Sequence, residues 1–116
     1  MDSGLLGSAL EMLILEVIAQ GPSYGYEIAQ TVAGRSDGTF AMKEGSLYPA
    51  LHRLERQKLL KPTWREADGR RRKYYELTKA GRVELASRKE SWLRFAAGIN
   101  GVLGTSRAEI IEPEVT

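Results

Sequence analysis

The apolar residues of this chain change their period twice, and those two changes restrict the fold more than any other feature. Up to Leu59 they recur at helical spacing, from Leu60 to Leu77 they alternate, and from Lys79 they return to helical spacing. In the first segment Leu6, Leu10, Leu13, Ile14 and Val17 share one helical face, predicting a helix over 5–19. Leu5, Ala9, Met12 and Ile18 widen that face, so two sides are expected to be covered, one by the chain's own core and one by a second body, for which a partner subunit is the economical candidate. Gln20-Gly21-Pro22 stops the helix. Ser23 offers an N-cap for a short second helix over 24–32, with Tyr24, Ile28 and Val32 inward. A turn cluster over 34–38 and an extended piece over 39–42 lead to a third helix over 46–58, with Leu47, Ala50, Leu51 and Leu54 inward. With Ser46 as its N-cap, Pro49 falls in the first turn, where no N–H is needed.

The alternating stretch predicts two strands, 60–66 and 72–77, joined across Ala67-Asp68-Gly69-Arg70. Asp-Gly is a strong hairpin signal, and Pro62 is tolerable because a two-stranded ribbon has only edges. Thr78 then caps a long helix over 79–102, in which Leu85, Trp92 and Ile99 repeat every seven residues and Phe95, Ala96 and Leu103 fill the neighbouring row, the spacing of a helix-to-helix seam. Gly98, Gly101 and Gly104 mark either fraying or the close approach of another backbone. The expected organisation is a mainly α chain with a two-stranded β wing: a winged helix-turn-helix domain over 1–78, a C-terminal dimerisation helix over 79–104, and a disordered tail over 105–116.

Composition removes whole classes of function. With no cysteine there is no disulfide, thiolate nucleophile or thiolate metal site, and a single histidine argues against zinc. Neither an enzyme nor a cofactor is indicated, since no nucleophile, base or convergent carboxylate pair stands out. The longest apolar stretch, Met12–Ala19, is broken by Glu16 and is far below the roughly 18 residues of a membrane span. The N-terminus lacks the marks of a secretory signal, so a cytoplasmic, membrane-free protein is expected.

Charge supplies the positive indication. Between Lys43 and Lys73 ten Lys and Arg face four acids, although the net charge of the chain is only +2. A basic middle third suits a polyanion, because neutralising phosphates releases condensed counterions. In a helix-turn-helix the third helix enters the major groove, and Lys43, Ser46, Tyr48, His52, Arg53 and Arg56 are its exposed donors here. The hairpin tip, Gly69 to Lys73, carries four consecutive cations suited to a phosphate backbone or a minor groove. Double-stranded DNA is the expected partner. A winged-helix module that binds an acidic protein instead of DNA is the other reading.

Four stretches resemble the PadR-like transcriptional regulators: Leu13-Ile14-Leu15, Gly21 to Ile28, Glu44 to Glu55, and Gly69 to Gly81. The resemblance spans residues 5–81 and implies a homodimeric regulator, usually a repressor, joined through the first and last helices and bound to an inverted repeat. It implies DNA contacts from Tyr24, Ser46, Tyr48, Pro49, His52 and Arg53 and from the wing residues Arg70, Arg71, Arg72 and Lys73, with Lys43 added as a phosphate contact. For Tyr48 a buried ring is the competing reading, and for His52 a solvated one. Tyr26 and Tyr75 are assigned to the core, and Trp64 to bracing the wing against the helices. Leu6, Leu10 and Leu13 with Leu85, Trp92, Phe95, Ala96, Ile99 and Leu103 form the expected dimer interface. Some short members of the family hold planar aromatic drugs between paired tryptophans, which makes Trp92 a candidate platform for a small aromatic effector as well as a packing residue.

Overall fold

A computed structural model describes residues 3–105, with side chains from residue 7 onward. The elements run α1 (Ser3–Ala19), β1 (Ser23–Tyr24), α2 (Gly25–Arg35), α3 (Glu44–Arg56), β2 (Leu60–Ala67), β3 (Arg70–Leu77) and α4 (Lys79–Leu103). The expected tail from residue 106 and the side chain of Leu6 lie outside the described residues. By compactness the chain forms one unit up to Leu85 and a second from Ala86.

The core of the first unit is built by Ile14, Leu15 and Ile18 of α1, Ile28 and Val32 of α2, Leu47, Leu51 and Leu54 of α3, and Leu60, Tyr75 and Leu77 of the sheet. Leu85, grouped with the seam by its heptad spacing, is buried in this same core. Leu15, which the single-face spacing on α1 omits, is fully buried, whereas Leu10 and Leu13 are only half-buried. Tyr75 is buried as expected, but Tyr26 is 63% exposed on α2 and is not a core residue.

The wing is three-stranded rather than two-stranded, in the order β1-β3-β2. Ser23 and Tyr24 pair antiparallel with Tyr75 and Tyr74, so the segment expected to open α2 as a cap first completes a sheet. The Ser23 hydroxyl donates to the Gly21 carbonyl at 3.0 Å, and the N-cap of α2 is Tyr24, whose N–H donates to Glu27 Oε1 at 3.3 Å. In the hairpin Asp68 (φ 54°) and Gly69 (φ 73°) are both left-handed, the two-residue turn that matches strand twist. Pairing runs without a bulge from Ala67↔Arg70 to Leu60↔Leu77.

Helix α3 begins two residues before the expected cap. Lys43 is the N-cap, and the N–H groups of Ser46 and Leu47 donate to its carbonyl at 3.0 and 2.8 Å. Pro49 therefore lies inside the helix and gives no N–H to the Gly45 carbonyl, a loss that water can make good because Gly45 is exposed. The helix closes at Lys58 (φ 63°), with Leu59 N–H donating to the Leu54 carbonyl and Lys58 N–H to that of Glu55, the paired bonds of a Schellman stop. Thr78 ties that stop to the start of α4: its hydroxyl donates to the Lys58 carbonyl at 2.7 Å and accepts from Gly81 N–H at 2.9 Å. Helix α4 runs through Gly98 and Gly101 unbroken and ends before Gly104 (φ 74°).

Candidate nucleic-acid interface

Three separate segments converge on one cleft of about 340 Å³, lined by Tyr24 and Gly25 at the start of α2, Tyr48 and His52 on α3, and Arg72, Lys73 and Tyr75 on β3. Spacing puts Tyr48 and His52 one turn apart on the same helical face. Sheet pairing puts Tyr24 beside Tyr74, and Arg72 two residues further along the same strand face. The lack of a side chain at Gly25 matters here, because a Cβ at that position would lie 2.7 Å from the Tyr48 hydroxyl oxygen. Tyr48 is 38% exposed: one side of its ring rests against α2 while the rest faces solvent, intermediate between a groove contact and a core ring.

Cations and rings interleave on both sheet faces. On one, the Arg72 guanidinium sits 4.5 Å from the Tyr24 ring centre and that of Arg65 5.1 Å from Tyr74, while the Tyr24 and Tyr74 rings meet edge to face at 5.3 Å. On the other, Arg71 lies 5.0 Å from the Trp64 ring, which is 55% exposed, so Trp64 carries an arginine and does not brace the wing against the helices. Stacking of this kind contributes about 0.5–1 kcal/mol at an exposed site and orients each guanidinium while leaving its N–H groups outward.

The remaining expected residues separate by their partners. Lys43, Ser46 and Pro49 are exposed at the N-terminal half of α3, and Arg70 and Arg71 at the wing tip, but none of the five lines the cleft. Arg53 turns to α1, its Nε donating to Glu11 Oε2 at 2.9 Å. Lys73 Nζ lies 3.1 Å from Glu55 Oε1 and 5.2 Å from the Tyr75 ring centre. Burial opposes the Lys73 charge, yet the neighbouring Glu55 carboxylate, with Tyr75, outweighs it and holds the ammonium above the ordinary lysine value. Burial likewise pushes the Tyr75 phenol up, against the opposing influence of Lys73. Glu55 is the residue that sequence reasoning passed over, although its position three residues after His52 places it on the Tyr48 face.

In the second unit, Trp92, Phe95, Ile99 and Leu103 are 44%, 47%, 42% and 68% exposed along α4. The Trp92 and Phe95 ring centres are 5.7 Å apart. Among the described residues no cluster of His, Asp or Glu is arranged to hold a metal, and no helix is long and apolar enough to cross a membrane.

The chain matches known proteins over most of its length. The profile of the "Transcriptional regulator PadR-like family" matches residues 14–87. A transcriptional regulator of Mycobacterium tuberculosis is 32% identical over 94 residues, covering 81% of this chain and 85% of that protein. The crystal structure of a PadR-like transcriptional regulator from Bacillus cereus superposes with a TM-score of 0.77 at 33% identity, over 90% of this chain and all of that one. A transcriptional regulator from Clostridium thermocellum gives a TM-score of 0.78 at 31% identity, over 87% and 96% of the two chains.

Proposed function

Because the chain belongs to the PadR-like family of transcriptional regulators, we propose that it represses transcription as a homodimer bound to an inverted repeat. The observation that carries this reading is the convergence of Tyr24, Tyr48, His52 and Arg72 from three segments onto one cleft, in which the Lys73 ammonium is turned to Glu55. Helix α3 enters the major groove by its N-terminal end, Ser46, Tyr48 and, a turn further on, His52 meet base edges, and Arg70 and Arg71 follow the backbone or the minor groove. Lys43 and Pro49 are proposed as flanking contacts. Arg53 is held to α1 and contributes less.

The dimer joins α1, through Leu6, Leu10 and Leu13, to Trp92, Phe95, Ala96, Ile99 and Leu103 of the partner copy's α4, which accounts for apolar side chains left exposed on α4 and half-buried on α1. A small planar aromatic effector stacks on Trp92 and releases the protein from DNA. A boundary near residue 78 divides the winged helix-turn-helix domain, whose α1 shares in the dimer, from the C-terminal dimerisation helix.

The test is a titration of the full chain against the duplex upstream of its own gene and against an unrelated duplex, over a range of salt. Tyr48→Ala and His52→Ala are expected to relax the preference between the two, whereas Arg71→Ala weakens both evenly and flattens the salt dependence by about 0.9 per bound protomer. Equal, weak affinity for both duplexes in the unmodified protein contradicts the proposal and favours a protein-binding role. For the effector, quenching of Trp92 emission by a planar aromatic cation in a Trp64→Phe background is the measurement; emission that does not respond removes the ligand role.

A further inference from the structure

A carboxylate stands on the helical face that this protein turns toward a polyanion. Glu55 follows Tyr48 and His52 on one stripe of α3, and its side chain and that of Lys73 are each about one-third exposed, at 31% and 30%. Beside phosphate an acid on that stripe costs binding energy, so its presence calls for a reason. Reading a cytosine amino group is one use of a glutamate in a groove. The geometry argues against that use, because base contacts fall toward the N-terminal end of a recognition helix and Glu55 sits in the last turn of α3. Its Oε1 is moreover buried, directed at Lys73 Nζ 3.1 Å away. The Tyr75 ring centre lies 5.2 Å from the same ammonium. Arg70 and Arg71 are instead exposed at the tip, Arg71 with Glu66 opposite it on β2, and Arg72 rests on a tyrosine face that leaves its charge intact.

We propose that Glu55 is a positioning residue that acts through Lys73: it serves as an internal counterion that removes Lys73 from the cations neutralising phosphate, and so sets the strength of sequence-independent DNA binding. Three consecutive arginines of the wing engage the backbone, while the fourth cation of the run is spent inside the protein. The inference rests on the DNA-binding reading above.

The experiment measures binding of the full chain to a labelled duplex of unrelated sequence across a salt series, for the unmodified protein, Glu55→Gln, Lys73→Met and the double variant. Glu55→Gln frees one cation, so the slope of log affinity against log salt steepens by about 0.9 per bound protomer and low-salt affinity rises. Lys73→Met leaves the slope of the unmodified protein unchanged, and in the Glu55→Gln background it returns the steepened slope to its original value. A structural role for Glu55 alone does not produce that reversal. A Glu55→Gln slope equal to that of the unmodified protein overturns the proposal, as does a loss of about 0.9 per protomer on Lys73→Met alone. The latter variant decides the matter even if Glu55→Gln fails to fold. Salt-independent or absent binding by the unmodified protein instead overturns the DNA-binding reading, and this inference with it.

Discussion

An added methyl group at Gly25 and at Gly81 meets two different kinds of neighbour. At Gly25 the nearest atoms belong to the far end of the Tyr48 ring, a side chain that can swing away. At Gly81 a Cβ overlaps the Leu59 carbonyl oxygen and lies 2.8 Å from Leu77 Cδ1, so the backbone itself must move. Gly25→Ala is therefore expected to leave the melting temperature within a few degrees of the original while displacing Tyr48 and weakening promoter binding. Gly81→Ala is expected to lower stability by about 2 kcal/mol or more, in the range that strained or overpacked sites reach. Thermal unfolding followed by DNA titration of both variants separates the two effects. The Tyr24-Gly25-Tyr26 triplet gave the sequence reading no way to see this, because the reason for the glycine lies on another helix.

At the scale of elements, α3 ends on a left-handed Lys58, a conformation that costs a residue with a Cβ about 1 kcal/mol. Lys58→Gly is expected to raise stability by up to about 1 kcal/mol, read as a shift of the denaturation midpoint. Thr78→Ala removes both the cap on α4 and the bond to the Lys58 carbonyl, with an expected cost of about 1–2 kcal/mol that serine in the same position largely restores. The long elements were legible in the sequence: α1 and α4 are set by periodicity, and the hairpin by alternation around Asp68-Gly69. Short-range chemistry misled where a distant partner decides. Ser23 has every property of an N-cap, yet Tyr24 pairs with Tyr74 fifty residues later and draws the segment into the sheet. Ser46 and Pro49 likewise suggested a later start for α3, but the exposed Gly45 carbonyl makes an internal proline affordable. Of the site, the basic run and the tyrosines were visible; the pairing of Arg53 with Glu11 and of Lys73 with Glu55 was not, since side-chain partners across forty-two and eighteen residues leave no local pattern.

For the molecule as a whole, Lys73 and Tyr75 both hold their protons more tightly in the fold than in an unfolded chain. Their contribution to stability is fully present through neutral pH and is lost as pH rises past the ordinary lysine and tyrosine values, so melting temperature should stay level and then fall above about pH 10. Tyr75→Phe removes part of that alkaline decline, because it deletes one raised group and one of the influences that raise Lys73; an identical decline in the variant contradicts the assignment. Sedimentation should report a dimer that Ile99→Asp and Phe95→Asp convert to monomer, with the first unit still folded by far-ultraviolet dichroism. The unbroken register of the hairpin has one more outcome. Tyr75 and Leu77 are buried, and that fixes the parity of β3: odd-numbered side chains look toward Glu55, even-numbered ones toward Tyr24. A single residue inserted between Arg72 and Tyr75 without a bulge would exchange the roles of neighbouring cations, whereas two would leave each on its own face.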